Sequence, residues 1–224
     1  MTARRGRYNA GEETRVLLVE TAERLFARRG YDAVTLAEIR SAAGQNNASV
    51  ISYYFGSKAN LLGAILEHRL PSINANRDEL FRRASEKGGD LTVRDALWCL
   101  VRPLADTLGG ANHYPALLDR LLDADILGDV FTSADPAATV TGFEVDRALH
   151  AALAELPEDV RRKRALMVYE SVLRTLARYD RSGSAPSRAE LSTLVDAWQG
   201  LLQAPLSEET LAARREDAER RNSA

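Results

Sequence analysis

The sequence is poor in residues that staple chains or cage metals: it has one cysteine, Cys99, and three histidines in 224 residues. One cysteine excludes an intrachain disulfide and a thiolate zinc cage, and the neighbours Trp98, Leu100 and Val101 make Cys99 a small buried hydrophobe. His68, His113 and His150 are too far apart for a local metal site, and no His-x-x-x-His pair occurs, so neither metal nor cofactor is expected. No stretch approaches the roughly 18–20 consecutive apolar residues of a membrane span. The basic segment 1–7 is followed by polar residues 8–13 rather than the apolar core of a secretory signal, so a cytoplasmic location is expected. Also absent is any alternation of Val, Ile, Thr and Tyr bounded by turns, which removes a sheet from consideration. No Gly-x-Ser-x-Gly elbow or phosphate loop is found, and Glu12-Glu13 and Glu208-Glu209 read as helix-start charge on a solvated face, so an enzyme is not expected.

What remains is a helical chain of two expected units. Its 45% hydrophobic and 28% charged content is that of a well-packed globular protein. The net charge of −2 conceals an asymmetry: residues 1–60 hold 9 Lys/Arg against 6 Asp/Glu, and residues 61–224 hold 21 against 26. A basic head on an acidic body lets one end approach a polyanion. Leu18, Ala22, Leu25 and Phe26 stripe a first helix over 12–29, ended by Gly30. Thr35-Leu36-Ala37-Glu38 is a capping box for a second helix, with Val34 stapling to Ile39. Gly44 closes it, Gln45-Asn46-Asn47 turns the chain into a third, and Gly56-Ser57 recaps a fourth running from Lys58 to about Leu70. Beyond Pro71, helices are expected at about 73–87, 92–107, 115–124, 139–155, 158–179, 188–203 and 207–221. They are separated by Gly88-Gly89, Gly109-Gly110, Asp135-Pro136, Pro157 and a Ser/Gly/Pro loop at 182–186, with a further capping box at Ser187 and Glu190.

A helix of about seven residues, a turn at Gly44 and a helix of about eight residues form a helix-turn-helix over 35–55. In its second helix Ala48, Ile51 and Phe55 share one side and are expected to face inward, leaving Ser49, Ser52 and Tyr53 outward. Hydroxyls beside an aromatic ring suit base edges, a thymine methyl or a phosphate. The amides of Gln45, Asn46 and Asn47 stand at the helix start, where docking drives residues deepest into a major groove; one of the three is needed for turn formation and capping, and the others are free to pair with adenine edges. Ser57 and Lys58 sit at a helix N-terminus suited to a phosphate. Arg4, Arg5 and Arg7 form a basic arm before the first helix that either tracks the DNA backbone or solubilises a tail.

Residues 14–62 resemble the DNA-binding domain of tetracycline-repressor (TetR) family regulators. The residues that carry the likeness are Thr14-Arg15, Leu25-Phe26, Gly30-Tyr31, Thr35, Ile39, Ala43-Gly44, Tyr53 through Lys58 and Leu61-Leu62. The likeness implies an all-α homodimer with a DNA-binding domain at 1–57 and a regulatory and dimerisation body at 58–224, joined by the helix at 58–70. It also implies that Thr35 caps near a phosphate, that residues from Ala48 to Tyr54 enter the groove, and that Lys58 grips the backbone. The sequence departs from the pattern by one extra residue between Gly44 and Phe55 and by Ser52 in place of the first tyrosine.

In the body, Leu166, Tyr169, Leu173 and Leu176, then Leu191, Leu194, Val195, Trp198 and Leu202, form two apolar stripes that either pair with a second copy as a four-helix interface or pack within one chain. Trp98, Arg102, His113, Tyr114, Leu117, Leu121, Phe131, Phe143, His150 and Met167 are the candidates for lining a small-molecule pocket, an apolar mixture with a few polar groups. The function so implied is transcriptional regulation: a repressor leaves a near-palindromic operator of double-stranded DNA when an effector binds. The competing class is a helical scaffold without sequence-specific DNA binding, whose binding to DNA would be weak and governed wholly by salt.

Overall fold

Thr35 and Glu38 close the capping box their spacing predicts. Thr35 Oγ1 accepts from Glu38 N at 3.2 Å, and the Thr35 N–H donates to Glu38 Oε2 at 2.8 Å. The computed structural model describes residues 2–86, 88 and 90–222, with side chains described from Gly11 to Arg221 within those spans. Gly89, half of one expected separator, lies outside the described residues.

Eleven helices and no strand occur among the described residues. The first three helices, termed the head, are α1 (Thr2–Arg29), α2 (Leu36–Ala42) and α3 (Val50–Phe55). The others, termed the body, are α4 (Lys58–Ser85), α5 (Val93–Ala105), α6 (Tyr114–Asp123), α7 (Leu127–Ser133), α8 (Pro136–Ala152), α9 (Glu158–Arg181), α10 (Arg188–Gln203) and α11 (Glu208–Asn222). Leu18, Ala22 and Phe26 are fully buried on α1, which packs against α2, α4 and α6. Gly30 ends α1 at φ 87°, its N–H returning to the Phe26 carbonyl at 2.8 Å. That left-handed conformation favours glycine.

Three boundaries differ from the sequence reading. α1 starts at Thr2 rather than 12, so Arg4, Arg5 and Arg7 continue the helix instead of preceding it; their side chains lie outside the described ones. α4 runs unbroken through Pro71, giving one 28-residue helix where two were expected. Proline removes one N–H, but Pro71 and Glu67, whose carbonyl loses its helical donor, both face solvent. The short α7 went unforeseen because its seven residues bury none fully and therefore carry no clear stripe.

A second internal proline has a different resolution. Pro103 in α5 is buried, and its missing N–H frees the carbonyl of Cys99 four residues earlier. Arg77 of α4 donates Nε to that oxygen at 3.1 Å. The break in α5 thereby draws a guanidinium into the centre of the body, where Arg77 is only 6% exposed.

Candidate nucleic-acid interface and effector cavity

The candidate reading face is built on a turn. Gly44 adopts φ 66°, and Asn47 Oδ1 accepts from Ser49 N at 3.0 Å, an Asx turn that starts the third helix. Asn47 is therefore the capping member of the Gln45-Asn46-Asn47 trio. Because α3 begins at Val50, the inward set is Val50, Ile51 and Phe55, all buried, while Ala48 lies in the turn and is exposed, not inward as the spacing had suggested. Ser49, Ser52 and Tyr53 are exposed, Tyr53 to 80%. The Asn46 amide makes no hydrogen bond among the described residues, whereas Gln45 Nε2 makes a long contact of 3.4 Å to the Ala43 carbonyl.

The half-buried Tyr54 packs edge-on to Tyr53 at 5.0 Å between ring centroids. Its hydroxyl lies 3.5 Å from where a Cβ on Gly11 of α1 would stand. Lys58 at the start of α4 holds its ammonium 4.3 Å above the Tyr31 ring, a cation–π contact that fixes the side chain beside the capped N-terminus. Asn60 completes that corner, donating its N–H to Ser57 Oγ at 3.1 Å and its Nδ2 to the Phe55 carbonyl at 2.8 Å. Glu38 also takes Arg29 Nη1 at 2.8 Å. The Thr35 amide and hydroxyl, together with that guanidinium, hold its carboxyl down at about 2.

A cavity of about 420 Å³ opens in the body between α4, α5, α6, α7, α8 and α9. Its size falls in the ~300–1,000 Å³ range of small-molecule sites. Of the ten candidates for a pocket, Tyr114, Phe131 and Phe143 line it. The others do not. Arg102 is exposed and paired with Asp106 at 2.8 Å, and Trp98 lies beneath Arg94 on another face of α5. Leu117 and Leu121 are fully buried elsewhere on α6. His113 meets Asp180, His150 faces Asp146 over a shallow outer depression, and Met167 is 54% exposed.

The interface stripes are corrected in the same way. Leu191, Val195, Trp198 and Leu202 of α10 are buried within the chain, with Trp198 Nε1 donating to Ser171 Oγ at 2.9 Å. Tyr169 and Leu173 of α9 line the cavity. Leu166, 55% exposed, and the half-buried Tyr169 and Leu194 retain outward surface from the predicted set. Helical periodicity marks a buried face without saying which neighbour buries it, and here the neighbours are α5 and α9 of the same chain.

Two polar clusters escaped the sequence reading. Around Arg77, Nη1 reaches Thr141 Oγ1 at 2.7 Å and Asn74 Oδ1 at 3.3 Å, while Asn74 Nδ2 donates to the Ala138 carbonyl at 2.8 Å. Pro103 signalled that a carbonyl needed a donor, but nothing local named Arg77. Between head and body, Glu23 of α1 is 1% exposed and accepts from Arg69 Nε at 2.7 Å and from the His113 N–H. Asp180 of α9 caps α6 by accepting from Ala116 N at 2.9 Å, because the N-cap His113 makes no side-chain cap of its own. These pairs are separated by 46 to 90 residues, beyond the reach of any motif.

No helix among the described residues is long and apolar enough to cross a membrane, and no group of three or more potential metal ligands occurs among them. Residues 18–65 match the family of bacterial regulatory proteins, tetR family. A probable HTH-type transcriptional regulator, ArpR, of Pseudomonas putida is 37% identical over 89 residues, which are 40% of this chain and 38% of that protein. The HTH-type transcriptional regulator TtgR, also of Pseudomonas putida, is 36% identical over 89 residues, with the same coverage. The chain thus spans under two fifths of the length of these relatives. A crystal structure of a gamma-butyrolactone receptor (ArpA-like protein) superposes with a TM-score of 0.47 at 22% identity, covering 88% of this chain and 99% of that one. Over residues 18–65, with the helix-turn-helix and its caps in place, the N-terminal part of the chain is similar to the tetR family of bacterial regulatory proteins.

Proposed function

We propose that this protein is a cytoplasmic transcriptional repressor, a homodimer whose two heads hold a near-palindromic operator until a small molecule in the body cavity releases it. The observation that carries the reading is the outward face of α3: Ser52 and Tyr53 project from a helix anchored by Ile51 and Phe55. Asn46, Ser49, Ser52 and Tyr53 read base edges, with Gln45, Asn47 and Ala48 at the groove floor. Thr35, Tyr54 and Lys58 hold phosphates, the last already positioned by the Tyr31 ring. The two copies meet along the outer faces of α9 and α10, where Leu166, Met167 and Ala197 are exposed and Leu194 and Leu201 half-buried.

Coupling follows from α4. One helix carries Lys58 at the DNA end and Leu70, Ile73 and Arg77 in the cavity wall, the last 19 residues or about 29 Å away at about 1.5 Å per residue. A ligand that favours a different tilt of α4 changes the separation of the heads. A differential affinity of about 1–3 kcal/mol lowers DNA affinity roughly 5- to 150-fold by reciprocity.

The test is selection of bound duplexes from a random pool, followed by titration of the selected site. The expected result is a two-fold-symmetric sequence bound about 4–10 kcal/mol more tightly than random DNA. Binding that is uniform across sequences and governed only by salt would refute the reading.

A further inference from the structure

We propose that the cavity is built for an amphipathic carboxylate, its anionic head on Arg77 and Tyr114 and its apolar body among the leucines and aromatics of α5 to α9. The inference deepens the reading of this cavity as the effector site and rests on it.

The walls supply the apolar half. Leu100, Leu104, Leu118, Phe131, Val172 and Leu173 face the space. At roughly 30 Å³ per methylene-sized group, 420 Å³ takes on the order of a dozen such groups.

The deep end supplies the polar half, and an account of its donors and acceptors identifies the head. Thr141 Oγ1 donates to Asn74 Oδ1 at 2.8 Å, and the Asn74 amide is spent on the Ala138 carbonyl. Thr139 Oγ1 turns back to the Asp135 and Pro136 carbonyls. Arg77 uses Nε on Cys99 and Nη1 on Asn74 and Thr141; Nη2 makes no hydrogen bond among the described residues. Arg77, 6% exposed, forms no ion pair among the described residues, and Asp78 of the same helix acts on it only at longer range. A buried cation held only by neutral acceptors is costly, and an anion beside it offsets that cost.

Tyr114, 1% exposed, also lines the cavity, and its hydroxyl is buried with no hydrogen-bond partner. Burial pushes its ionisation well above the usual phenol range, so it presents a proton. The unspent donors are therefore one charged fork N–H group and one hydroxyl, and the one acceptor among them is the weakly basic phenol oxygen. Two negatively charged oxygens on one carbon match that pair, and an arginine fork suits them geometrically.

The opposite end sets the orientation. Asp146 lines the cavity with its side chain 45% exposed, and its carboxylate is engaged by the Tyr169 hydroxyl at 2.8 Å. A negative charge at the mouth repels the head and sends it inward. Phe143, 53% exposed, and Gly142 stand beside that mouth over the apolar body.

Calorimetric titration of the full chain at neutral pH with decanoate, methyl decanoate and decyltrimethylammonium tests this directly. Decanoate is expected to bind at least about tenfold more tightly than its ester, the size of one charge-assisted hydrogen bond. Arg77→Gln is expected to erase that preference. Since loss of Arg77 also strands the Cys99 carbonyl, Tyr114→Phe is the second variant: it should weaken decanoate about fivefold while leaving the melting temperature unchanged or raised. Equal or tighter binding of the ester or the ammonium compound, an unchanged decanoate affinity in Tyr114→Phe, or no binding by any of the three overturns the proposal. DNA release is read separately on the selected operator. Decanoate that binds without releasing DNA overturns the effector reading and leaves the ligand class standing. An operator released by other molecules while decanoate fails to bind overturns the ligand class alone.

Discussion

Tyr53 stands 80% exposed on a six-residue helix whose Val50, Ile51 and Phe55 are buried. A ring so exposed, with Tyr54 as its aromatic contact, contributes little to packing, and Tyr53→Ala should change stability by no more than about 1 kcal/mol. The same substitution should lower affinity for the selected operator by about 1–3 kcal/mol, the worth of one good base contact. Fluorescence anisotropy beside thermal denaturation separates the two effects; unchanged operator binding would move the reading face elsewhere. Glu38 makes a pH-dependent contribution. Its carboxyl lies at about 2 in the folded chain against an ordinary 4.5, so the stabilisation from Thr35 and Arg29 is complete above about 4.5. It is lost as pH falls from there toward 2. The wild-type chain should therefore lose more stability than Glu38→Gln between pH 5 and 2, as followed by urea unfolding.

At the scale of elements, α1, α4 and α6 are tied by one buried carboxylate. Glu23 accepts from Arg69 of α4 and from the backbone N–H of His113 at the start of α6. Removing it leaves a largely buried guanidinium and an amide without a partner, so Glu23→Ala should cost about 3–5 kcal/mol by denaturant titration. A variant within about 1 kcal/mol of wild type would show that the pair is dispensable. Helix α8 offers the opposite case. Gly142 is exposed at the cavity mouth, and a Cβ there would meet nothing within 4 Å. Replacing a mid-helix glycine restores about 1 kcal/mol of helix propensity, so Gly142→Leu should raise the melting temperature while its side chain narrows the cavity. The check is ligand titration: a more stable protein that has lost decanoate binding and retains operator binding. Pro71 stands between the two ends of α4 at the point where a change of tilt is least resisted, because its ring has already removed one rung of the ladder.

For the whole molecule the charge is distributed as the proposed task requires, basic over residues 1–60 and acidic beyond. Removing residues 1–7 deletes Arg4, Arg5 and Arg7 and should reduce the slope of log affinity against log salt by up to about 2.7, at about 0.9 per phosphate neutralised. An unchanged slope would mean that this turn of α1 does not touch DNA.

The helical class, the head and its caps were legible in the sequence because they are local. A capping box spans four residues, an Asx turn three, and Gly30 and Gly44 sit where left-handed backbone is required. The inward faces of α9 and α10 were legible as faces, but the sequence left open whether a second copy or the same chain covers them. Leu191, Val195, Trp198 and Leu202 turn toward α5 and α9 of their own chain, a fact of three-dimensional arrangement that a 3.6-residue period does not encode. The cavity's polar end depended on tertiary structure altogether. Arg77 lies beside Cys99 only because Pro103 frees a carbonyl and α4 crosses α5 at that level. Periodicity and caps act over a few residues and survive in the bare string. Which buried donor is left unspent depends on chain crossings dozens of residues apart, and folding alone decides those.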